Sequence, residues 1–144
     1  MSNMKAVLAM LALVGVVFVT ASPSFSHGDV TPQPIDTAGL DPLKEGEWLK
    51  ENPYRGNETA KTIGASGYNQ NCARCHGLQG ISGGLAPDLR YLEEGATGDD
   101  WFMQRIRHGA KKPDGATMMP AFEGLINQEA MWAIRTYLET APKE

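Results

Sequence analysis

The sequence predicts an all-α fold of three to five helices joined by long loops. Three observations carry that prediction. Residues 58–71 look helical and Asn127 caps a stretch of helical spacing, no run alternates apolar and polar residues as a half-buried strand would, and many of the chain's 16 glycines and 9 prolines lie outside those stretches. The chain has 144 residues and a formal charge of −4. No basic stripe dominates it, which argues against a nucleic-acid partner.

The elements follow in order. Lys5 supplies a positive start, Ala6 to Val19 is apolar apart from Gly15, and small or turn-forming residues follow through Ser26. That is the layout of a secretory signal peptide over 1–26, cleaved after Ser26 or alternatively after Ala21. The apolar core is shorter than the roughly 20 residues a membrane span needs, with an uncleaved anchor as the alternative. Export to the periplasm is the expected consequence. Lys5 is the single charged residue of this segment, so its loss leaves the remainder more negative by one unit.

Residues 27–57 hold Pro32, Pro34, Gly39, Pro42, Gly46, Pro53 and Gly56. They read as an irregular N-terminal arm with one short helix at 42–50, pinned to the body by Trp48 and Tyr54. Residues 58–144 form the main domain. A helix is expected over 58–71, then a glycine-rich loop over 77–98 with a turn at 87–92. Asp99 or Asp100 caps a second helix that Gly109 stops after His108. Residues 110–124 form another loop. Asn127 caps a last helix from Gln128 to about Thr140, with Ala130, Ile134, Tyr137 and Leu138 on one face.

Between the first helix and the glycine-rich loop stands Cys72-Ala73-Arg74-Cys75-His76, which holds both cysteines of the chain. Composition alone would produce this arrangement roughly 3 times in 10,000. Cys-x-x-Cys-His is the pattern of covalent haem attachment: each thiol can add to a vinyl group, and the histidine can ligate the iron. One covalently bound haem would also supply the core that so loop-rich a chain otherwise lacks. A second ligand is expected in Thr117-Met118-Met119-Pro120-Ala121-Phe122, because a thioether opposite histidine is a common pair on an electron-carrying haem. Met119 is the expected ligand, stiffened by Pro120, with Met118 the alternative and plain core packing the other reading.

With these residues in view the chain resembles the class I c-type cytochromes over about residues 58–140. Gly64 and Tyr68, eight and four residues before Cys72, are similar to the glycine and aromatic of that family's first helix. Ile134 and Tyr137 are similar to the apolar and aromatic pair of its last helix. The resemblance implies the cytochrome c fold, in which these helices cross, and implies that Pro87 offers its carbonyl to the ligand histidine. Asn52–Asn57, Asn71–Leu78, Ile81–Gly84, Met119–Gly124 and Gln128–Leu138 narrow the likeness to the c550-type cytochromes that serve PQQ-dependent alcohol dehydrogenases. The resemblance therefore implies an electron donor of that quinoprotein class and a terminal oxidase or another cytochrome as acceptor.

The functional expectation is a soluble, monomeric, one-electron carrier rather than an enzyme, since ligation by His76 and Met119 leaves no open iron site. A haem enzyme or small-ligand sensor with a displaceable methionine is the alternative. A thiol oxidoreductase using Cys72 and Cys75 would need a βαβ context that the sequence lacks. Arg105, Arg107, Lys111 and Lys112 form a basic cluster, read either as a solvated face or as a source of a cation for a haem propionate or a partner. His27 and His108 read as terminal and surface histidines, Arg74 as outward-pointing, and Trp101 and Trp132 as pocket or core packing.

Overall fold

In the computed structural model, which describes residues 32–143, two asparagine caps set the frame. The Asn57 side chain accepts from the Ala60 N–H and opens helix α1 (Glu58–Asn71). The one-turn helix α2 (Ala73–His76) follows, then a 3-10 turn at Leu78–Gly80 and helix α3 (Gly95–His108). A small hairpin of β1 (Ala110–Lys111) and β2 (Thr117–Met119) leads to helix α4 (Gln128–Glu139). The Asn127 side chain opens α4 by accepting from the Ala130 N–H. Each cap satisfies a donor that a helix start leaves unpaired. Mostly helical, with long loops, the chain has the all-α architecture consistent with the cytochrome c fold. The segment 1–26 and His27 lie outside the described residues. Among the described residues no helix is long and apolar enough to cross a membrane.

Helices α1 and α4 cross at Gly64. A Cβ there would lie 1.9 Å from the Ala133 carbonyl oxygen, so the backbones approach as closely as only glycine allows. One turn further, the Tyr68 and Tyr137 rings meet at 5.4 Å. The expected apolar face of α4 is present, but the helix is buried on almost every side: Met131, Trp132, Arg135 and Thr136 are as enclosed as Ala130 and Ile134. The cover on its other flank is the segment 32–57.

That segment contains no helix, which corrects the expectation at 42–50. Its backbone donors are spent on α4 instead. The Leu43 N–H donates to Glu129 Oε1 and the Leu49 N–H to Gln128 Oε1, both at 2.8 Å, while Gln128 Nε2 returns a bond to the Glu47 carbonyl. Trp48 packs under the Arg107 guanidinium at 3.9 Å, and Tyr54 is buried in the main core. Both aromatics thus fix the segment to the body, as expected.

Two further corrections concern the middle of the chain. Helix α3 begins a full turn before Asp99, and Asp99 is no cap. It is buried and accepts from the Asn52 N–H, Arg135 Nε at 2.9 Å and Arg55 Nη2 at 2.6 Å. Pairing two guanidinium groups fixes it more strongly than a helix end would. The loop expected over 110–124 contains the hairpin, antiparallel with Ala110 opposite Met119 and a bulge beside it. Strands of two and three residues are too short to write an alternating pattern.

The Asp99 network ties residues 52–55 to α3 and α4. Burial alone would raise the Asp99 carboxyl, but the Asn52 N–H, Arg135 and Arg55 outweigh it and hold it below the ordinary value. A folded value below the unfolded one, about 3.9, means the stabilisation is complete above that pH and is lost as acid titrates the folded carboxylate. Asp99→Ala is expected to cost about 3 kcal/mol by leaving Arg135 buried without its partner. In urea titrations from pH 7 down to pH 3, the variant should also lose less stability than the parent. Parallel pH profiles would show that Asp99 is not the acid-sensitive group.

Candidate haem site

The end of α1 delivers Cys72 directly into α2, and the Cys72 carbonyl accepts from both Cys75 and His76 N–H at 3.0 Å. This single turn turns Cys72, Cys75 and His76 towards one cavity of about 380 Å³, within the range of cofactor pockets. Arg74, between the cysteines, is exposed. Burial, then the neighbouring Cys75, pushes the Cys72 thiol up to about 12. A redox-active thiol needs the opposite shift, so the electrostatics disfavour thiol exchange.

His76 is held by its ring. Nδ1 lies 2.9 Å from the Pro87 carbonyl oxygen, and because a carbonyl only accepts, Nδ1 carries the hydrogen. The lone pair of Nε2 is thereby left free to bind a metal. The Tyr68 hydroxyl donates to the Gly77 carbonyl at 2.8 Å and anchors the chain just past the histidine.

The same cavity is lined by Met119, 43 positions beyond His76 in sequence. Its segment is strapped to the end of α3. The Phe122 N–H donates to the Ile106 carbonyl at 3.0 Å and the Glu123 N–H to that of Arg107 at 3.3 Å, satisfying acceptors that the helix end leaves open. Gly109, at φ +70°, lies where a Cβ would come within 2.3 Å of the Met119 carbonyl oxygen, so the strap can close over the helix terminus. Met119 packs against the core, whereas Met118, also at the cavity, is 65% exposed.

The remaining walls are apolar: Leu85, Ala86, Pro87 and Leu89 from the loop after the motif, Phe102 and Ile106 from α3, Phe122, and Ile134 and Leu138 from α4. Phe102 and Ile106, four residues apart, were legible as one helix face. Leu85 and Leu89 share that spacing but stand in a glycine- and proline-bearing loop, where it marks no helix face. Two cations, Arg105 and Lys111, line the cavity with no carboxylate among the lining residues. Arg105 Nη1 donates to the Gly109 carbonyl at 3.3 Å and its guanidinium stands 5.3 Å over the Trp101 ring. The expected basic cluster is therefore divided. Arg107 turns away to Glu123 and Trp48, lowering the Glu123 carboxyl through their hydrogen bonds, and Lys112 is exposed. His108 stands at the end of α3 beside Glu123, and Trp132 is core. Such a cavity suits a broad, mostly apolar group with anionic substituents and a metal that accepts imidazole and thioether.

Residues 59–138 match the family model described as cytochrome C oxidase, cbb3-type, subunit III. Over 124 residues the chain is 56% identical to cytochrome c550 of Pseudomonas aeruginosa, covering 83% of this chain and 84% of that one. The chain belongs to the c-type cytochromes. The cytochrome is also 39% identical over 117 residues to quinohemoprotein alcohol dehydrogenase ADH IIB of Pseudomonas putida, covering 81% of this chain but 14% of that protein. It is 33% identical over 91 residues to the cbb3-type cytochrome c oxidase subunit FixP of Rhizobium meliloti, covering 55% of this chain and 29% of that one. No solved structure matches significantly. The cytochrome is an electron carrier rather than an enzyme, and its cofactor is haem c.

Proposed function

We propose that this cytochrome is a periplasmic, monohaem carrier that takes single electrons from a quinoprotein alcohol dehydrogenase and passes them towards a terminal oxidase. The observation that carries the site assignment is the convergence of Cys72, Cys75, His76 and Met119 on one apolar cavity. Cys72 and Cys75 would hold the haem by thioether bonds, His76 Nε2 and the Met119 sulfur would ligate its iron, and Arg105 and Lys111 would receive its carboxylates. When bound, haem supplies the reversible one-electron couple of its iron.

The protein's part is to keep that couple poised and accessible. Pro87 fixes the tautomer of His76 and makes its ring a stronger donor. The soft sulfur of Met119 favours the reduced metal and raises the potential. The apolar walls exclude water, so little solvent reorganises when the charge changes. His76 and Met119, the residues that would ligate the iron, come from short, strapped segments, which favours transfer over ligand binding. The donor is supported by the likeness to part of an alcohol dehydrogenase, the acceptor by the likeness to part of an oxidase subunit, and the location by the signal-like segment 1–26.

The test mixes oxidised cytochrome with purified PQQ-dependent alcohol dehydrogenases and their alcohols and follows haem reduction optically. Reduction at rates matching enzyme turnover is expected with at least one alcohol enzyme. Uniformly slow reduction would defeat the donor assignment while leaving the carrier intact. Haem that extracts into acid acetone would defeat covalent attachment, and Cys72→Ser is expected to leave little folded holoprotein.

A further inference from the structure

The loop after the haem motif has no long element, yet it is bound to itself through side chains. The Leu89 N–H donates to the Gly80 carbonyl at 3.0 Å and closes the base of the loop. Within it, the Ser82 hydroxyl donates to the Ala86 carbonyl, and Ser82 Oγ accepts from the Gly84 N–H at 2.9 Å. The Asp88 carboxylate accepts from the Ser82 N–H at 3.4 Å, the Arg90 N–H at 3.0 Å and the Arg90 guanidinium at 3.0 Å. Residue 87 is thus flanked by two anchored neighbours, Ala86 held by Ser82 and Asp88 held by Ser82 and Arg90. The carbonyl between those anchors is the acceptor 2.9 Å from His76 Nδ1.

The Pro87 carbonyl lies in the rigid peptide plane it shares with Asp88, so its direction is set by how Ala86 and Asp88 on either side are held. We propose that Ser82 and Asp88 are positioning residues that aim the Pro87 carbonyl at His76 and thereby lower the redox potential of the haem. The proposal rests on His76 being the iron ligand. A firmly held acceptor on Nδ1–H gives the imidazole more negative character, which favours ferric iron over ferrous. Loosening the bracket raises the potential. Arg90, through its hydrogen bonds to Asp88, holds that carboxyl down at about 2, so the bracket stays charged across the physiological range.

The test compares holoprotein variants Ser82→Ala, Asp88→Ala and Asp88→Asn. Midpoint potentials are read by spectroelectrochemistry, and exchange of the histidine ring N–H is read by NMR with ¹⁵N-labelled histidine. Ser82→Ala changes no charge and is expected to shift the oxidised-to-reduced ratio about threefold, a rise of about 28 mV at 59 mV per tenfold for one electron. It should also speed exchange of the Nδ1 hydrogen about threefold. Asp88→Asn keeps an acceptor for the two N–H groups and should reverse most of the shift seen in Asp88→Ala. If Asp88→Asn shifts the potential as far as Asp88→Ala while Ser82→Ala shifts nothing, the effect is lost charge and the bracket plays no part. Unchanged potential and exchange in Ser82→Ala and Asp88→Ala would likewise overturn the proposal. The same spectra separate its premise: absence of a hyperfine-shifted histidine ring in the oxidised parent would refute ligation by His76 itself.

Discussion

Met119→Ala is expected to keep its haem attached and to lose its character as a carrier. The motif residues are untouched, so the haem remains after denaturation, but the thioether that favours the reduced metal is gone. The potential should fall by on the order of a tenth of a volt or more, within the ~0.8 V that axial ligands can span. The ferric spectrum should lose the charge-transfer band of sulfur ligation, and the reduced protein should bind carbon monoxide rapidly, which the parent should not. Met118→Ala is the internal control, since its side chain faces solvent to a much greater extent, and its spectrum should match that of the parent. If the two variants exchange these outcomes, the ligand is Met118. Rapid carbon monoxide binding by the unaltered protein would favour a sensor or enzyme over a carrier.

Gly64→Ala should destabilise the fold strongly. The added methyl carbon would lie 1.9 Å from the Ala133 oxygen and 2.9 Å from the Ile134 nitrogen, and both obstacles are backbone. No rotamer change can relieve that, so α1 and α4 must separate along their shared interface. The expected loss is about 3 kcal/mol, enough to lower Tm by roughly 15 °C in a domain of this size. Gly83→Ala, where nothing lies within 4 Å, should leave Tm unchanged. A Tm for Gly64→Ala equal to that of the parent would show that the helices do not meet so closely.

What could be read in advance depended on whether local chemistry and long-range chemistry agreed. Helix α4 was legible because Asn127 acts locally, capping the helix it precedes, whereas the Asn57 cap of α1 shows only in the folded chain. Asp99 was misleading for the same reason in reverse. An aspartate before a helical run has the composition of a cap, but its partners are Arg55 and Arg135, which sequence spacing does not reveal. The segment at 42–50 failed as a helix because its N–H groups bond to side chains of α4. Of the cavity, the attachment motif and Met119 are marked by rare spacing and by a following proline. Leu85, Leu89 and the Ser82–Asp88 bracket come from an aperiodic loop, where only the folded chain shows which atoms meet.

The bonds between residues 43–55 and α4 join partners 79 to 86 positions apart. A chain synthesised from its first residue onward therefore carries this segment through most of its own production before these bonds can form. Closure waits for the final dozen or so residues, because α4 is partner both to that segment and to α1. Until then the Cys72–His76 stretch sits in the middle of an open chain, reachable from either side. The order in which residues emerge thus leaves a period when the attachment motif is accessible, and arrival of the last helix ends it.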